Sequence, residues 1–239
     1  MEKIKQNDNV IARIPLTGGP KGGKTVIKEK LVEHVEKKYG YKMFIVPETA
    51  TEFIKGRCIP PSFPKDNDPE KVKEFIKQIK AFQYIIWDLQ LTKERDYDIF
   101  ANAQERKAVI GYDRATVDNY GYLLMHLGND GTFQEFMAER GLTLQDLYGR
   151  YDGVISLGTS AKLIDFNEPS EGDTTVRLEA GGDEAALVDY FVSKVWKDHP
   201  NYRRVEATPK FEDKIDATIR EFDSIIDECK VKKLGTRPY

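Results

Sequence analysis

The sequence predicts an α/β fold in which helices flank a parallel β-sheet, and three observations indicate it. A short apolar run, residues 10–16, is followed by a glycine-rich loop and then by a helical pattern of apolar residues. A second strand-like run, residues 41–46, follows that helix after a short link, and strand–helix–strand units with short links build parallel sheets. Further strand-like runs near residues 107–112, 151–158 and 202–207 alternate with helical stretches. We therefore expect five strands.

The length and composition fit one globular domain. Of the 239 residues, 40% are hydrophobic and 32% are charged, which is typical of soluble chains with an ample core. We expect a single domain over residues 10–229, a flexible N-terminus over residues 1–9 and a loose basic tail over residues 230–239. The net charge of −3, from 40 acidic and 37 basic residues, argues against a nucleic-acid partner.

The sequence also indicates a compartment. No apolar run approaches the roughly 18 residues that a membrane span needs, and the polar N-terminus does not resemble a secretory signal. The two cysteines, Cys58 and Cys229, are far apart and form neither a metal-ligand spacing nor a disulfide framework. A reducing, cytoplasmic location is therefore expected.

The stretch between the first strand and the first helix has the pattern of a phosphate-binding loop. It fits G-x-x-x-x-G-K-[ST] and consists of Gly18, Gly19, Pro20, Lys21, Gly22, Gly23, Lys24 and Thr25. Glycines let successive backbone N–H groups converge on an anion, and the following helix directs its positive dipole end to the same place. We expect Lys24 to reach the β- and γ-phosphates and Thr25 to ligate Mg²⁺. A flexible glycine turn is the alternative, and the flanking strand and helix favour nucleotide binding.

The first helix and the second strand lead to the next candidate residue. The helix ends at Gly40, which suits a left-handed C-cap, and the strand that follows ends just before Glu48. Ligands of parallel sheets bind beyond the carboxyl ends of the strands, so Glu48 is a catalytic candidate. The alternative is a capping carboxylate on the helix that begins at Thr49 or Ala50. Glu52 is interpreted as a surface or helix-start residue.

A proline-rich loop over residues 57–68 precedes a long helix, which we place over residues 70–95 because of its broad apolar face. That face is typical of core packing. The alternative is that the loop and the helix cover a substrate pocket lined by Gln83, Tyr84 and Trp87.

The third strand runs directly into Asp113 and Arg114. An aspartate at the tip of a parallel strand beside a phosphate loop can hold Mg²⁺ or its water shell, and the neighbouring arginine can fork onto phosphate oxygens. A surface ion pair is the alternative. Asp118 is a weaker candidate for the same pocket.

Helical patterns follow over residues 116–127, 132–140 and 142–148, and the isolated His126 is interpreted as a surface or core residue. The fourth strand comes next. After it, residues 165–183 are polar and lack apolar periodicity, which predicts a mobile lid.

The lid contains Arg177. If the lid closes over the phosphates, this arginine of the same chain can neutralise charge on the transferred group. The alternative is a solvated loop arginine. A helix over residues 183–196, the fifth strand and a closing helix over residues 208–229 complete the chain. Thr208 and Pro209 suit the N-cap and first position of that closing helix.

Four segments occur together in an order that resembles a known family. They are Leu16-Thr17-Gly18-Gly19-Pro20, Gly22-Gly23-Lys24-Thr25, Val46-Pro47-Glu48-Thr49-Ala50-Thr51, and Tyr112-Asp113-Arg114-Ala115 with Asp118. The order is similar to AAA-type ATP/GTP-binding proteins related to the nicotinamide riboside kinase domain, a group that includes relatives of a GTP-binding photoreceptor-channel trafficking factor. The resemblance covers about residues 10–229.

The resemblance implies a P-loop NTPase fold with the five-stranded parallel sheet of nucleoside and nucleotide kinases. It places Glu48 near an acceptor hydroxyl, Asp113 near Mg²⁺ and Arg114 on phosphate, and it matches Arg177 only loosely to a lid arginine. The chain departs from the family in its acidic lid with one arginine and in Lys21, where many relatives have a small residue.

These residues predict a phosphotransferase that uses ATP (or GTP) and Mg²⁺ and acts on a hydroxyl of a small, nucleoside-like molecule. Lys24, Arg114 and Arg177 would stabilise charge on the transferred group, while Glu48 orients or deprotonates the hydroxyl. Thr25 and Asp113 would hold the metal. The alternative is an ATP/GTP-binding regulatory protein with weak or no kinase activity. A nucleic-acid end kinase is disfavoured by the acidic balance.

Overall fold

The computed structural model describes residues 9–160 and 182–235. Residues 1–8 of the predicted flexible N-terminus lie outside the described residues, as do residues 236–239 of the predicted tail. Residues 165–181 of the predicted lid, including Arg177, also lie outside them.

The described strands form one parallel sheet, as predicted. They are β1 (Val10–Thr17), β2 (Lys42–Val46), β3 (Ala108–Asp113), β4 (Val154–Leu157) and β5 (Tyr202–Val205). Their order is β2-β3-β1-β4-β5, and every neighbouring pair is parallel. The first strand is therefore central, and its carboxyl end opens into the phosphate loop between β3 and β4.

Helices connect the strands and cover the sheet. They are α1 (Lys24–Tyr39), α2 (Thr49–Lys55), α3 (Pro69–Asn102), α4 (Asp118–Leu127), α5 (Gly131–Glu139), α6 (Leu144–Tyr148), α7 (Gly182–Lys194) and α8 (Phe211–Gly235). In the described part of the chain, none of them combines the length and apolar character that crossing a bilayer requires.

Two apolar layers separate the sheet from its helices. Ile110 and Tyr112 of β3 pack in the layer that contains Trp87 of α3, whereas Val109 packs in the layer that contains Leu31 of α1. Successive strand residues point to opposite faces, so the two layers lie on opposite sides of the sheet. Fully buried strands of this kind are typical of parallel sheets covered on both faces.

The last helix differs from the prediction at both ends. It begins at Phe211, and the Thr208 hydroxyl donates to the carbonyl of Lys210 (2.6 Å) before the helix starts. It continues to Gly235, so residues 230–235 of the predicted basic tail are helical. The Lys230 ammonium lies 4.3 Å from the centre of the Tyr39 ring, a cation–π contact that ties this last stretch to α1.

Candidate nucleotide and acceptor site

The phosphate loop has the backbone that its glycines were expected to allow. Gly18 (φ 113°) and Gly23 (φ 82°) adopt left-handed conformations that residues with a Cβ rarely take. A methyl group at Gly18 would overlap the carbonyl oxygen of Leu157, and one at Gly23 would overlap the ring of Phe211. These two positions therefore require glycine for conformation and for space.

A Gly18→Ala substitution is expected to destabilise the protein more than Gly40→Ala, its matched control. Gly40 also has a positive φ (68°), but nothing lies within 4 Å of a Cβ built there. The control should lose about 1–2 kcal/mol, the cost of a left-handed non-glycine residue. At Gly18 the overlap with Leu157 adds to this strain. Urea denaturation of both variants measures the difference, and equal losses would contradict the argument.

The amide of Gly19 is directed to a side chain. It donates to Asp189 Oδ1 of α7 (2.8 Å), and Asp189 in turn pairs with Arg204 of β5 (2.5 Å). A Cβ on Gly19 would lie 2.7 Å from that of Asp189, so the two elements are in close contact. No local sequence pattern indicated Asp189 or Arg204, because both come from helices and strands far along the chain.

Lys24 lies over the loop that precedes it. Its ammonium donates to the carbonyls of Gly18 (3.2 Å) and Gly19 (3.0 Å). Burial, and next the charge of Arg114, lower the pKa of Lys24 to about 8. The side chain remains a cation near neutral pH, and its partners are carbonyl oxygens that a phosphate oxygen can replace.

Glu48 and Arg114 form an ion pair between the ends of β2 and β3. Arg114 Nε donates to Glu48 Oε1 (2.5 Å), and its Nη1 donates to the carbonyl of Gly18 in the loop (3.0 Å). The guanidinium also lies 5.4 Å from the centre of the Tyr122 ring. This geometry brings three segments of the predicted site together: both strand ends and the phosphate loop.

The capping alternative for Glu48 does not describe this structure. Glu48 occupies the N-cap position of α2, but its side chain makes no capping hydrogen bond and accepts instead from the Thr51 hydroxyl (2.7 Å). Burial raises the pKa of Glu48, but Arg114 and Lys24 together outweigh burial and hold it below its ordinary value. Glu48 is therefore a carboxylate at neutral pH.

The two carboxylate oxygens of Asp113 differ in their hydrogen bonding. Its Oδ2 pairs with Lys28 of α1, and its Oδ1 is buried with no hydrogen-bond partner among the described residues. Thr25 lies in the first turn of α1 and lines the same cleft. A carboxylate oxygen and a hydroxyl are hard donors that suit Mg²⁺, which is usually held by one or two carboxylates together with substrate phosphates. The residues present therefore fit this metal.

Asp118, the weaker candidate, borders the cleft and accepts hydrogen bonds from the surrounding fold. Its carboxylate accepts from the Thr17 hydroxyl, from the amide of Ala115 (2.6 Å) and from the indole of Trp196 (3.1 Å). Burial raises its pKa. Although Asp118 borders the cleft, its hydrogen bonds fasten β1 to the start of α4 and to the residues after α7.

A cleft of about 1430 Å³ extends from the loop to α2, α3 and α4. Away from the loop its walls combine apolar and aromatic side chains with a few polar ones, namely Ile79, Phe82, Ile86, Tyr122, Met125, Gln83, Gln90 and His126. Such a lining is typical of small-molecule sites. Of the three pocket residues suggested for the long helix, only Gln83 lines the cleft. Tyr84 and Trp87 pack against Phe136 instead.

Sequence reasoning missed Gln90, which connects the two sides of the site. Its Oε1 accepts from Thr49 (2.5 Å), beside Glu48, and its Nε2 lies 3.4 Å from the carbonyl of Arg114. One signal could have found it, because Gln90 follows Gln83 by seven residues and two helical turns return a side chain to the same face.

Comparisons with known proteins agree with this architecture. A family model described as an AAA domain matches residues 13–214. A solved deoxyadenosine kinase from M. mycoides with bound dATP has a TM-score of 0.50 and 17% identity, over 89% of this chain and 99% of that chain. A second structure of that enzyme, with dCMP and a flexible dCDP, has a TM-score of 0.49 and 14% identity over the same shares. The likeness to the first of these structures concerns the fold alone. No curated protein matches the sequence.

Proposed function

The chain belongs to the AAA domain family of P-loop NTPases, and from this premise we propose that it is an ATP- and Mg²⁺-dependent phosphotransferase acting on a hydroxyl of a small, nucleoside-like molecule. GTP is the alternative donor. The observation that carries the proposal is the Glu48–Arg114 pair. The pair joins a carboxylate that is charged at neutral pH to a cation that already contacts the phosphate loop, and both residues line a cleft that extends beyond that loop.

The residues of the site divide the proposed reaction between them. Lys24 and Arg114 stabilise negative charge on the transferred phosphoryl group, and Glu48 orients the acceptor hydroxyl and takes its proton. The acceptor oxygen bonds to the γ-phosphorus as the bond from that phosphorus to the bridging oxygen of ADP breaks. Thr25 and Asp113 would hold Mg²⁺, which when bound neutralises charge on the phosphates. Arg177 is proposed as a further cation for the same group.

The polarity of the cleft supports an acceptor with a flat, partly polar ring. Phe82 and Tyr122 offer aromatic surface, while Gln83, buried on α3, offers an amide that can both donate and accept hydrogen bonds. A nucleoside base has both properties. Its sugar supplies the hydroxyl that the reaction needs.

A panel of nucleosides incubated with the protein, ATP and Mg²⁺ tests the proposal. Mass spectrometry is expected to detect a monophosphate of at least one nucleoside, together with an equal amount of ADP. Tight binding of ATP or GTP without any phosphorylated acceptor would contradict it and favour the regulatory alternative. A thermal-shift screen of nucleosides and nucleotides with Mg²⁺, carried out first, selects the members of this panel, because ligands that bind the native state raise its melting temperature.

A further inference from the structure

Lys214 is a buried lysine of α8, the last helix, and its side chain contacts the phosphate loop. Its side chain is 1% exposed, and its ammonium donates to the carbonyls of Gly22 in the loop (2.8 Å) and Gly158 after β4 (2.5 Å). The amide of Gly158 donates to the carbonyl of Val205 at the end of β5 (2.8 Å). One ammonium therefore connects the loop to the residue that follows β4, and that residue is in turn hydrogen-bonded to the end of β5.

Burying this charge is unfavourable by itself. The charged groups that face Lys214 are Lys24 and Arg204 of the same sign and Asp189 and Glu206 of the opposite sign. Burial, followed by the charge of Lys24, lowers the pKa of Lys214 to about 8. An apolar side chain of similar volume would avoid this desolvation cost, so packing alone does not account for a lysine here.

The contact has a geometric consequence for the loop. The peptide between Gly22 and Gly23 is trans, as are all peptide bonds in the described segments, so its C=O and N–H point in opposite directions. Because Lys214 holds the Gly22 carbonyl toward α8, the N–H of Gly23 points the other way. Gly23 lines the cleft and precedes Lys24, at the start of α1 where an anion would be received.

We propose that Lys214 is a positioning residue of the nucleotide site, which fixes the Gly22–Gly23 peptide so that its amide is directed at a phosphate. The inference rests on the nucleotide-binding half of the proposed function. It predicts that the loop loses order, and nucleotide affinity falls, when the ammonium is removed.

The test compares Lys214→Met with Thr218→Val in the same helix. Thr218 is also fully buried and its hydroxyl donates to the Lys214 carbonyl (2.8 Å), so its variant loses a buried hydrogen bond without touching the loop. Amide hydrogen exchange over residues 18–25 in the nucleotide-free protein should be faster in Lys214→Met and unchanged in Thr218→Val. Calorimetry with Mg²⁺ and ATP should show an affinity loss of about tenfold or more for Lys214→Met, since hydrogen bonds to a charged group are lost.

A conservative variant and the exchange measurement distinguish failure of this inference from failure of the proposed function. Lys214→Arg retains charge and donors and should bind ATP more tightly than Lys214→Met; Lys214→Gln replaces the methionine variant if that variant does not fold. Unchanged loop exchange in Lys214→Met, or equal effects in Thr218→Val, would overturn the inference. If the parent protein binds neither ATP nor GTP, the proposed function fails, while the exchange data still decide the role of Lys214.

Discussion

A Lys24→Ala variant is expected to lose at least tenfold in affinity for ATP and for GTP, and to lose phosphoryl transfer with it. Lys24 is the cation that the loop carbonyls of Gly18 and Gly19 hold beside the expected phosphate position. Hydrogen bonds to charged groups contribute about 1.5–3 kcal/mol, which corresponds to roughly 10- to 150-fold in a dissociation constant. Isothermal titration calorimetry with Mg²⁺ present measures the loss directly.

The matched control for this variant is Lys30→Ala. Lys30 lies on the same helix, but its side chain is 51% exposed and pairs only loosely with Glu33 at 3.5 Å. Nucleotide affinity should be unchanged in the control. If Lys24→Ala binds both nucleotides as tightly as the parent, the phosphate loop is not the nucleotide site, and the proposed reaction has no donor position.

A Glu48→Gln variant is expected to separate catalysis from nucleotide binding. The amide oxygen can still accept from Arg114 Nε, so the ion-pair geometry is largely retained, whereas the capacity to take a proton is lost. General-base catalysis contributes about 10²- to 10⁴-fold, so kcat should fall by that range while the ATP dissociation constant changes little. Steady-state kinetics and calorimetry on the same preparation measure both quantities.

Glu52→Gln is the control for Glu48→Gln. Glu52 lies one turn along α2, is 54% exposed at its side chain and pairs with Lys93 (2.7 Å). Its kcat should equal that of the parent. A normal kcat in Glu48→Gln, or a parallel fall in Glu52→Gln, would show that Glu48 does not act on the acceptor.

The pH dependence of kcat gives a second test of the catalytic role of Glu48. Because Arg114 and Lys24 hold the pKa of Glu48 below its ordinary value, the carboxylate is charged at neutral pH and becomes protonated only as the pH falls through that lowered pKa. Activity should therefore be level near neutrality and decline on the acid side. The acid limb should be absent from the residual activity of Glu48→Gln, and its persistence would assign that limb to another group.

The order of strands and helices and the candidate residues at the strand ends could be predicted because each depends on a short, contiguous stretch. The loop pattern, the apolar runs and Gly40 at the end of α1 are local features, and the structure confirms the five-stranded parallel sheet and the left-handed cap. The predicted end of the last helix, residue 229, was wrong, since α8 continues to Gly235. Residues after 229 look like a loose tail in the sequence, but Lys230 contacts Tyr39 of α1, which stabilises the helical extension.

The sequence by itself determined that a glycine-rich phosphate loop lies between a strand and a helix, and that Glu48, Asp113 and Arg114 stand at strand ends. Only the tertiary structure decided how these groups are paired. Arg114 contacts Glu48 across 66 residues, and Asp189 and Lys214 reach Gly19 and Gly22 across 170 and 192 residues. Local patterns do not specify such partners, because they are set by which helices pack together around the central strand once the chain has folded.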